Sequence, residues 1–282
     1  MSNSCNIKLN TRKTFLKCGA CSHAMYHLLN HEFGNIKPIE EKASDVLAGG
    51  IAMQGLQCGM IWGGAFAVGA EAFRRYSDKD EATAAAIQSS KYVLESFYSR
   101  AGTVNCADIS KADWRKKKDF IIFFLKTLAG GFVYSHCFNL MAKWTPEAIE
   151  AANKGLTEKT VYSRPCLSCA SEVLKKMGAT DEESVTAAGL AGGIGLSGSG
   201  CGALSAVIWY KMLDFVKNNP NKNPDMFKNP VVMGILDEFF VQTNYEMECQ
   251  TICGRKFNSI DEHSGYIQSG GCRNLIESLA KL

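Results

Sequence analysis

The chain has 282 residues, 46% of them hydrophobic and 21% charged, with a formal net charge of +3. That balance excludes a disordered chain and a basic nucleic-acid binder, and it leaves room for one large core or two smaller ones. Twelve cysteines are the outlier. A core of this size needs no disulfide staples, so thiols in this number point to metal, iron–sulfur or thiol redox chemistry.

Residues 1–17 hold no apolar run, so no signal peptide is visible and a cytoplasmic setting is expected. Cys18-x-x-Cys21 leads into a predicted helix over Cys21–Phe33. His23, His27 and His31 share one face of it and read as a solvated or hydrogen-bonded stripe rather than a metal or haem site. Glu40–Gln54 rises into a glycine turn, and Cys58–Tyr76 is an apolar helix rich in small residues, suited to close packing. Glu81–Arg100 places Ala86, Ile87, Val93, Leu94 and Phe97 on one face. A lone Cys106 follows, then Arg115–Lys118 as a solvated helix start, the apolar run Phe120–Tyr134 interrupted by Lys126, and Cys137. Sustained period-two alternation is missing. The expected fold is all-α.

Two stretches, Val46–Ala70 and Ser184–Tyr210, carry no charge and are long enough to cross a bilayer. Each contains seven glycines, which makes a poor spanning helix. A buried helix, glycine turn and second helix is the expected reading, with no membrane span.

The chain repeats itself. Residues 47–51 read LAGGI and residues 190–194 read the same, an offset of 143. The same offset carries Gly55 to Gly198, Cys58 to Cys201, Gly59 to Gly202, Glu95 to Glu238, Phe97 to Phe240 and Cys106 to Cys249. Upstream, Cys18-x-x-Cys21 answers Cys166-x-x-Cys169 at an offset of 148, the extra residues falling in His31–Glu41. Cys137 pairs more loosely with Cys272, and Cys5 and Cys253 have no counterpart. The repeats are expected over residues 14–157 and 161–282, joined by the polar segment Asn153–Pro165. Two similar helical units would pack about a pseudo-two-fold axis, as a homodimer of the single unit would.

Each repeat offers an ordered set: C-x-x-C, then C-G after a glycine-rich turn, a lone Cys and a late Cys. Four thiolates from separate elements suit an iron–sulfur cluster, a zinc ion or two disulfide pairs. Cys58 and Cys201 open apolar helices, a position that favours the thiolate. The C-x-x-C pairs read as redox dithiols or as metal ligands with Cys18 and Cys166 accessory; haem attachment is excluded, because Ser22 and Ala170 stand where a His is required. Trp62 and Trp209 read as core. The glycine stretch LAGGIGLSGSG lacks the ending of a phosphate loop.

The order Cys, Cys-Gly-Ala, Cys, Cys resembles the C_GCAxxG_C_C family, whose members are described as redox-active and are typically single units with four characteristic cysteines. The second repeat carries it best: Cys169-Ala-Ser-Glu-Val, Gly200-Cys201-Gly202-Ala203, Cys249-Gln-Thr-Ile-Cys253-Gly254 and Cys272. The first keeps Cys21-Ser-His-Ala, Cys58-Gly59 through Gly63, Cys106-Ala-Asp-Ile and Cys137, but has Met60 for the motif Ala and Gln57 for the preceding Gly; the second has Ala206 for the motif's last Gly. A similar domain in split-Soret-type cytochromes implies electron transfer by analogy. On this resemblance Cys21, Cys58, Cys106 and Cys137 would bind one iron–sulfur cluster and Cys169, Cys201, Cys249 and Cys272 another, with Cys18, Cys166 and Cys253 accessory. Metal-free thiol–disulfide exchange and a zinc-held module stay open beside it. The partner expected is a redox protein or a small electron carrier; homo-oligomerisation stays open.

Overall fold

The computed structural model describes residues 2–129, 131 and 135–282. The end of the apolar run, at 130 and 132–134, and the side chain of Cys5 lie outside them. No strand occurs among the described residues, so the fold is all-α. The first half runs α1 (Ser2–Cys18), α2 (Cys21–Phe33), α3 (Pro38–Ala43), α4 (Gly59–Arg75), α5 (Lys79–Ala101), α6 (Cys106–Ser110), α7 (Lys117–Ala129) and α8 (His136–Thr157). The second runs α9 (Cys169–Lys176), α10 (Asp181–Thr186), α11 (Gly202–Asn218), α12 (Pro230–Gln242), α13 (Cys249–Ile252), α14 (Ile260–Gln268) and α15 (Arg273–Leu279). The offset of 143 holds in the backbone: α3 and α10, and α4 and α11, begin and end at equivalent residues.

Local chemistry sets these boundaries. Gly34 and Gly102 end α2 and α5 in the left-handed conformation that a residue with a Cβ resists. The Asp78 carboxylate accepts from the N–H groups of Asp80 and Glu81 to start α5, and a Thr180–Glu183 capping box starts α10. The predicted Glu40–Gln54 helix is instead broken: α3 stops at Ala43, one 3₁₀ turn covers Asp45–Leu47, and the chain then turns left-handed at Gly49. The Glu81–Arg100 face is as expected, with Ala86, Ile87, Val93, Leu94 and Phe97 all buried.

The core sits where the halves meet. Helix α4 packs against α2 and α5 in its own half and against α10 in the other; α11 packs against α9 and, reciprocally, against α3. Such an exchange is what two units related by a two-fold axis make. Phe66 and Trp209, equivalent by the offset, stack on each other with ring centroids 4.8 Å apart. Trp209 donates its indole N–H to the Glu40 carbonyl across the interface. The small residues of α4 permit this approach. A Cβ on Gly63 would stand 2.1 Å from the Ser22 carbonyl oxygen, and one on Gly69 would stand 2.1 Å from that of Thr186. The charged end of α4 is neutralised inside: the fully buried Glu71 carboxylate accepts from Arg74 and Arg75. Among the described residues no helix is long and apolar enough to cross a membrane.

Gly69→Ala forces backbone against backbone where the halves touch. The expected loss is about 1–3 kcal/mol, read as a lower urea midpoint at unchanged slope.

His263 gives a pH dependence. Its ring is buried, donates from Nδ1 to the Leu167 carbonyl at 3.0 Å and meets the Phe257 ring edge-on. Burial lowers its pKa to about 4. The native ring therefore stays neutral while the unfolded one protonates below roughly pH 6.5. Stability falls as pH drops from there toward 4, by on the order of 3 kcal/mol at full extent. His263→Gln should remove this part of the acid slope in denaturation curves taken at stepped pH.

Candidate cysteine sites

In each half the chain between the 3₁₀ turn and the C-G cysteine makes a left-handed turn. Residues 49–53 have φ between +46° and +74°, and residues 192–196 between +51° and +78°. The hydrogen bonds coincide under the offset. Ala52 N–H reaches the Val46 carbonyl and Gly55 N–H that of Gly49; Gly195 N–H reaches Gly189 and Gly198 N–H reaches Gly192. Ile51, Ala52, Met53, Ile194 and Leu196 are not glycines, and each costs about 1–2 kcal/mol in this conformation. Strain of this size gathers at functional sites. Two glycines are obligatory for space. A Cβ on Gly50 would lie 2.4 Å from the Leu56 nitrogen, and one on Gly193 would lie 2.9 Å from the Cys249 Cβ.

The turn places the sulfurs. In the first half Cys21 opens α2, Cys58 precedes α4, Cys106 opens α6 and Cys137 lies in the first turn of α8. Their side chains lie close enough to feel one another's charge. Cys58 donates to the Cys21 sulfur, and the backbone N–H groups of Gly49 and Ser22 add to it; together they outweigh burial and hold the Cys21 thiol below its ordinary value. The same bond, with burial, pushes Cys58 well up. Burial carries Cys106 up to about 12 in spite of hydrogen bonds from Trp114 and Ser110, and it raises Cys137 too. Cys21, Cys106 and Cys137 open onto a cavity of about 300 Å³ walled by Phe15, Met53, Trp114, Phe138 and Phe227. Gly59 stands under it; a Cβ there would lie 2.8 Å from the Cys21 sulfur.

The second half repeats the arrangement. Cys169 opens α9, Cys201 precedes α11, Cys249 opens α13 and Cys272 precedes α15. Gly192, the equivalent of Gly49, gives its N–H to the Cys169 sulfur, but burial and Cys272 still push that thiol up to about 12. Burial and Cys169 raise Cys201 against the N–H groups of Leu204 and Ala203. A fifth sulfur joins: Cys253 Sγ stands 3.8 Å from Cys249 Sγ and 3.5 Å from Cys272 Sγ. The Cys253 bond works to lower Cys249, and burial with the charges of Cys169, Cys201 and Cys272 outweighs it. Cys272 lines a polar cavity of about 610 Å³ with Gln242, Tyr266, Arg273 and Asn274.

Two expectations change. Cys58 and Cys201 do sit at helix starts, yet neither thiol is lowered, because burial and a neighbouring sulfur outweigh the helix field. The lowered thiol of the first set is Cys21. The C-x-x-C pairs make no sulfur–sulfur contact. Cys18 turns to His23, whose charge Asp45 and Cys18 favour strongly enough to overcome burial, raising it to about 10. Cys166 lies in a small apolar cluster with Phe257 and Ile260, where burial and then Asp80, Asp261 and Asp78 push it up to about 12. The histidine stripe is hydrogen-bonded, His23 to Asp45 and His27 to the buried Glu41. Sequence spacing carried one signal for Cys253: four residues after Cys249, it follows one helical turn later. Nothing in the sequence pointed to Tyr266. Among the described residues no group of three or more His, Cys, Asp or Glu side chains is arranged to hold a single metal ion.

The family model described as "Putative redox-active protein (C_GCAxxG_C_C)" matches the chain twice, over residues 20–180 and 166–282. No curated protein and no solved structure matches it.

Cys21 should be the first of its set to react. Brief iodoacetamide treatment of the reduced protein near pH 7.5, followed by peptide mass mapping, should label Cys21 well ahead of Cys106 and Cys58, since the thiolate is the nucleophile.

Proposed function

Because the chain belongs to the C_GCAxxG_C_C family, and because each half gathers four thiols beside a strained glycine turn, we propose that it is an electron-transfer protein holding one iron–sulfur cluster per half. Cys21, Cys58, Cys106 and Cys137 would ligate the first and Cys169, Cys201, Cys249 and Cys272 the second. The observation that carries the reading is the repeated convergence of four sulfurs from four separate elements, with a backbone N–H of the turn aimed at the first of them in both halves.

The donor set fits the group. Thiolates are the usual ligands of such clusters, and N–H···S bonds with burial tune their potential. A cluster with one thiolate per iron spaces its ligands more widely than a single tetrahedral ion does, which favours it over zinc here. When bound, it supplies a one-electron couple. The chain's own residues do the rest. Gly49 and Gly192 donate to Cys21 and Cys169. Met60 donates to Cys58, and Ala203 and Leu204 donate to Cys201. Cys58 and Cys106 in the first set and Cys169, Cys201 and Cys249 in the second are buried, so water is kept from half of one set and three quarters of the other. Gln57 touches Gly200 across the interface, and each is followed directly by a ligand cysteine, so the two sets lie on either side of one contact.

Anaerobic purification should yield a brown protein with a broad absorption band near roughly 400 nm and iron matched by acid-labile sulfide. Cys58→Ser and Cys201→Ser should each remove about half the iron, and the double variant nearly all of it, if each half holds one cluster of the same type. A colourless protein, one holding zinc alone, or iron that survives the double change overturns the proposal.

A further inference from the structure

We propose that the second half carries a working dithiol that the first half lacks: Cys253 and Cys272 form a reversible disulfide by exchange with a small, carboxylate-bearing disulfide admitted through the polar cavity. The sulfurs are 3.5 Å apart, already in contact and about 1.5 Å from the bonded distance of about 2 Å. Cys272 holds φ at +55°, a conformation rare for a residue with a Cβ. It follows Gly270 at φ +93° and Gly271, whose N–H is tied to the Tyr266 carbonyl. A Cβ on Gly271 would strike the Tyr266 ring at 2.3 Å, and the Tyr266 hydroxyl lies 3.9 Å from the Cys272 sulfur. The loop is thus shaped to present Cys272 at the cavity.

The four-thiol set shared by both halves does not call for Cys253. Its equivalent under the offset of 143 is Ser110, whose hydroxyl donates to the Cys106 carbonyl at 2.7 Å. One atom, oxygen for sulfur, separates the halves here. The cavity also has a charge preference: Arg273 is exposed and has no carboxylate partner among the described residues, and Asn274 and Gln242 line the cavity beside it.

The step balances as ordinary exchange. Cys272, the sulfur that faces the cavity, gives up its proton as it attacks one sulfur of the small disulfide; the S–S bond breaks, and one small thiolate leaves and takes up that proton. The Cys253 thiolate then attacks the Cys272 sulfur and expels the second. The two protons of the cysteine pair end on the two released thiols, and two electrons pass from the pair to the substrate. Closing the bond withdraws Cys272 from the four-thiol set, so oxidation and metal loading compete for one sulfur in this half alone.

The test treats the full-length chain, purified under reducing conditions, with oxidised glutathione or with neutral 2-hydroxyethyl disulfide. Peptide mass mapping follows, with iron measured on the same samples. A Cys253–Cys272 link is expected, formed severalfold faster with oxidised glutathione, and Arg273→Ala should erase that preference. In Cys253→Ser, which installs the residue the first half already uses, glutathione should remain as a mixed disulfide on Cys272. A link between any other pair, no link, or a mixed disulfide on another cysteine overturns the proposal. The iron measurement answers the cluster reading separately: iron is measured first, and because iron and the link compete for Cys272, the link is scored on full-length chain stripped of iron with a chelator.

Discussion

The left-handed turn at residues 49–53 and 192–196 is the constraint from which the rest of the molecule follows. A run of positive φ directs successive N–H groups inward, where Gly49 and Gly192 meet the first sulfur of each set. It also returns the chain so that the C-G cysteine lands at the start of a core helix. The third cysteine is fixed to the same turn by backbone bonds: Cys106 N–H to Leu56, Ala107 N–H to Gly55 and, equivalently, Gln250 N–H to Gly198. The strain in Ile51 and Ile194 is offset by complete burial of both side chains and by the six-residue hydrogen-bond steps. Ala52 in the first half is answered by Gly195 in the second, so the second turn reaches the same shape with less strain.

Around this shared device the halves have diverged. Between α2 and α3 the first half buries a polar layer, with Glu41 accepting from Asn30, His27 and the Lys37 N–H. The second has Ser171 donating to the Ser184 carbonyl at the corresponding junction. The first set of sulfurs faces an aromatic cavity and the second a polar one. Equivalent sets of four cysteines thus sit in two different surroundings, and surroundings set the chemistry of a sulfur site.

Much of this was written in the sequence because repetition is a strong signal. The LAGGI pair and the constant 48-residue gap from Cys58 to Cys106 and from Cys201 to Cys249 placed the elements and the site cysteines. The hand of the turn was not legible: Ile51, Ala52 and Met53 have no preference for positive φ, and the glycine pair announces a turn without giving its hand. The order of thiol acidity was hidden as well. It rests on Cys58 donating to Cys21, a contact between residues 37 positions apart, and local reasoning about helix starts ranks the two the other way. Cys253 was visible as an accessory cysteine four residues after Cys249 and without a counterpart in the first half, but its meaning depends on where Cys272 lies.

The interface also explains why the two units share one chain. Gln57 and Gly200 occupy the same position in the two repeats and meet each other at the pseudo-axis. Gly200 holds φ at +72°, and a Cβ there would stand 2.8 Å from the Gln57 Oε1 atom and 3.0 Å from the Trp62 ring, so a side chain at this position is strained and displaces the Gln57 carboxamide. That carboxamide is used: Gln57 Nε2 donates to Glu248 Oε1 at 2.7 Å, and Glu248 Oε2 accepts from the Gly200 N–H. A homodimer of one unit would place the same residue on both sides. A second glutamine would have to adopt the positive φ of Gly200, and two glycines would leave Glu248 without the Gln57 amide. Joining the repeats covalently frees each copy of an axis position to differ. The same freedom lets Cys253 arise in one half while Ser110 stays in the other, so a fused pair can hold two unlike sulfur sites where a symmetric dimer holds two alike.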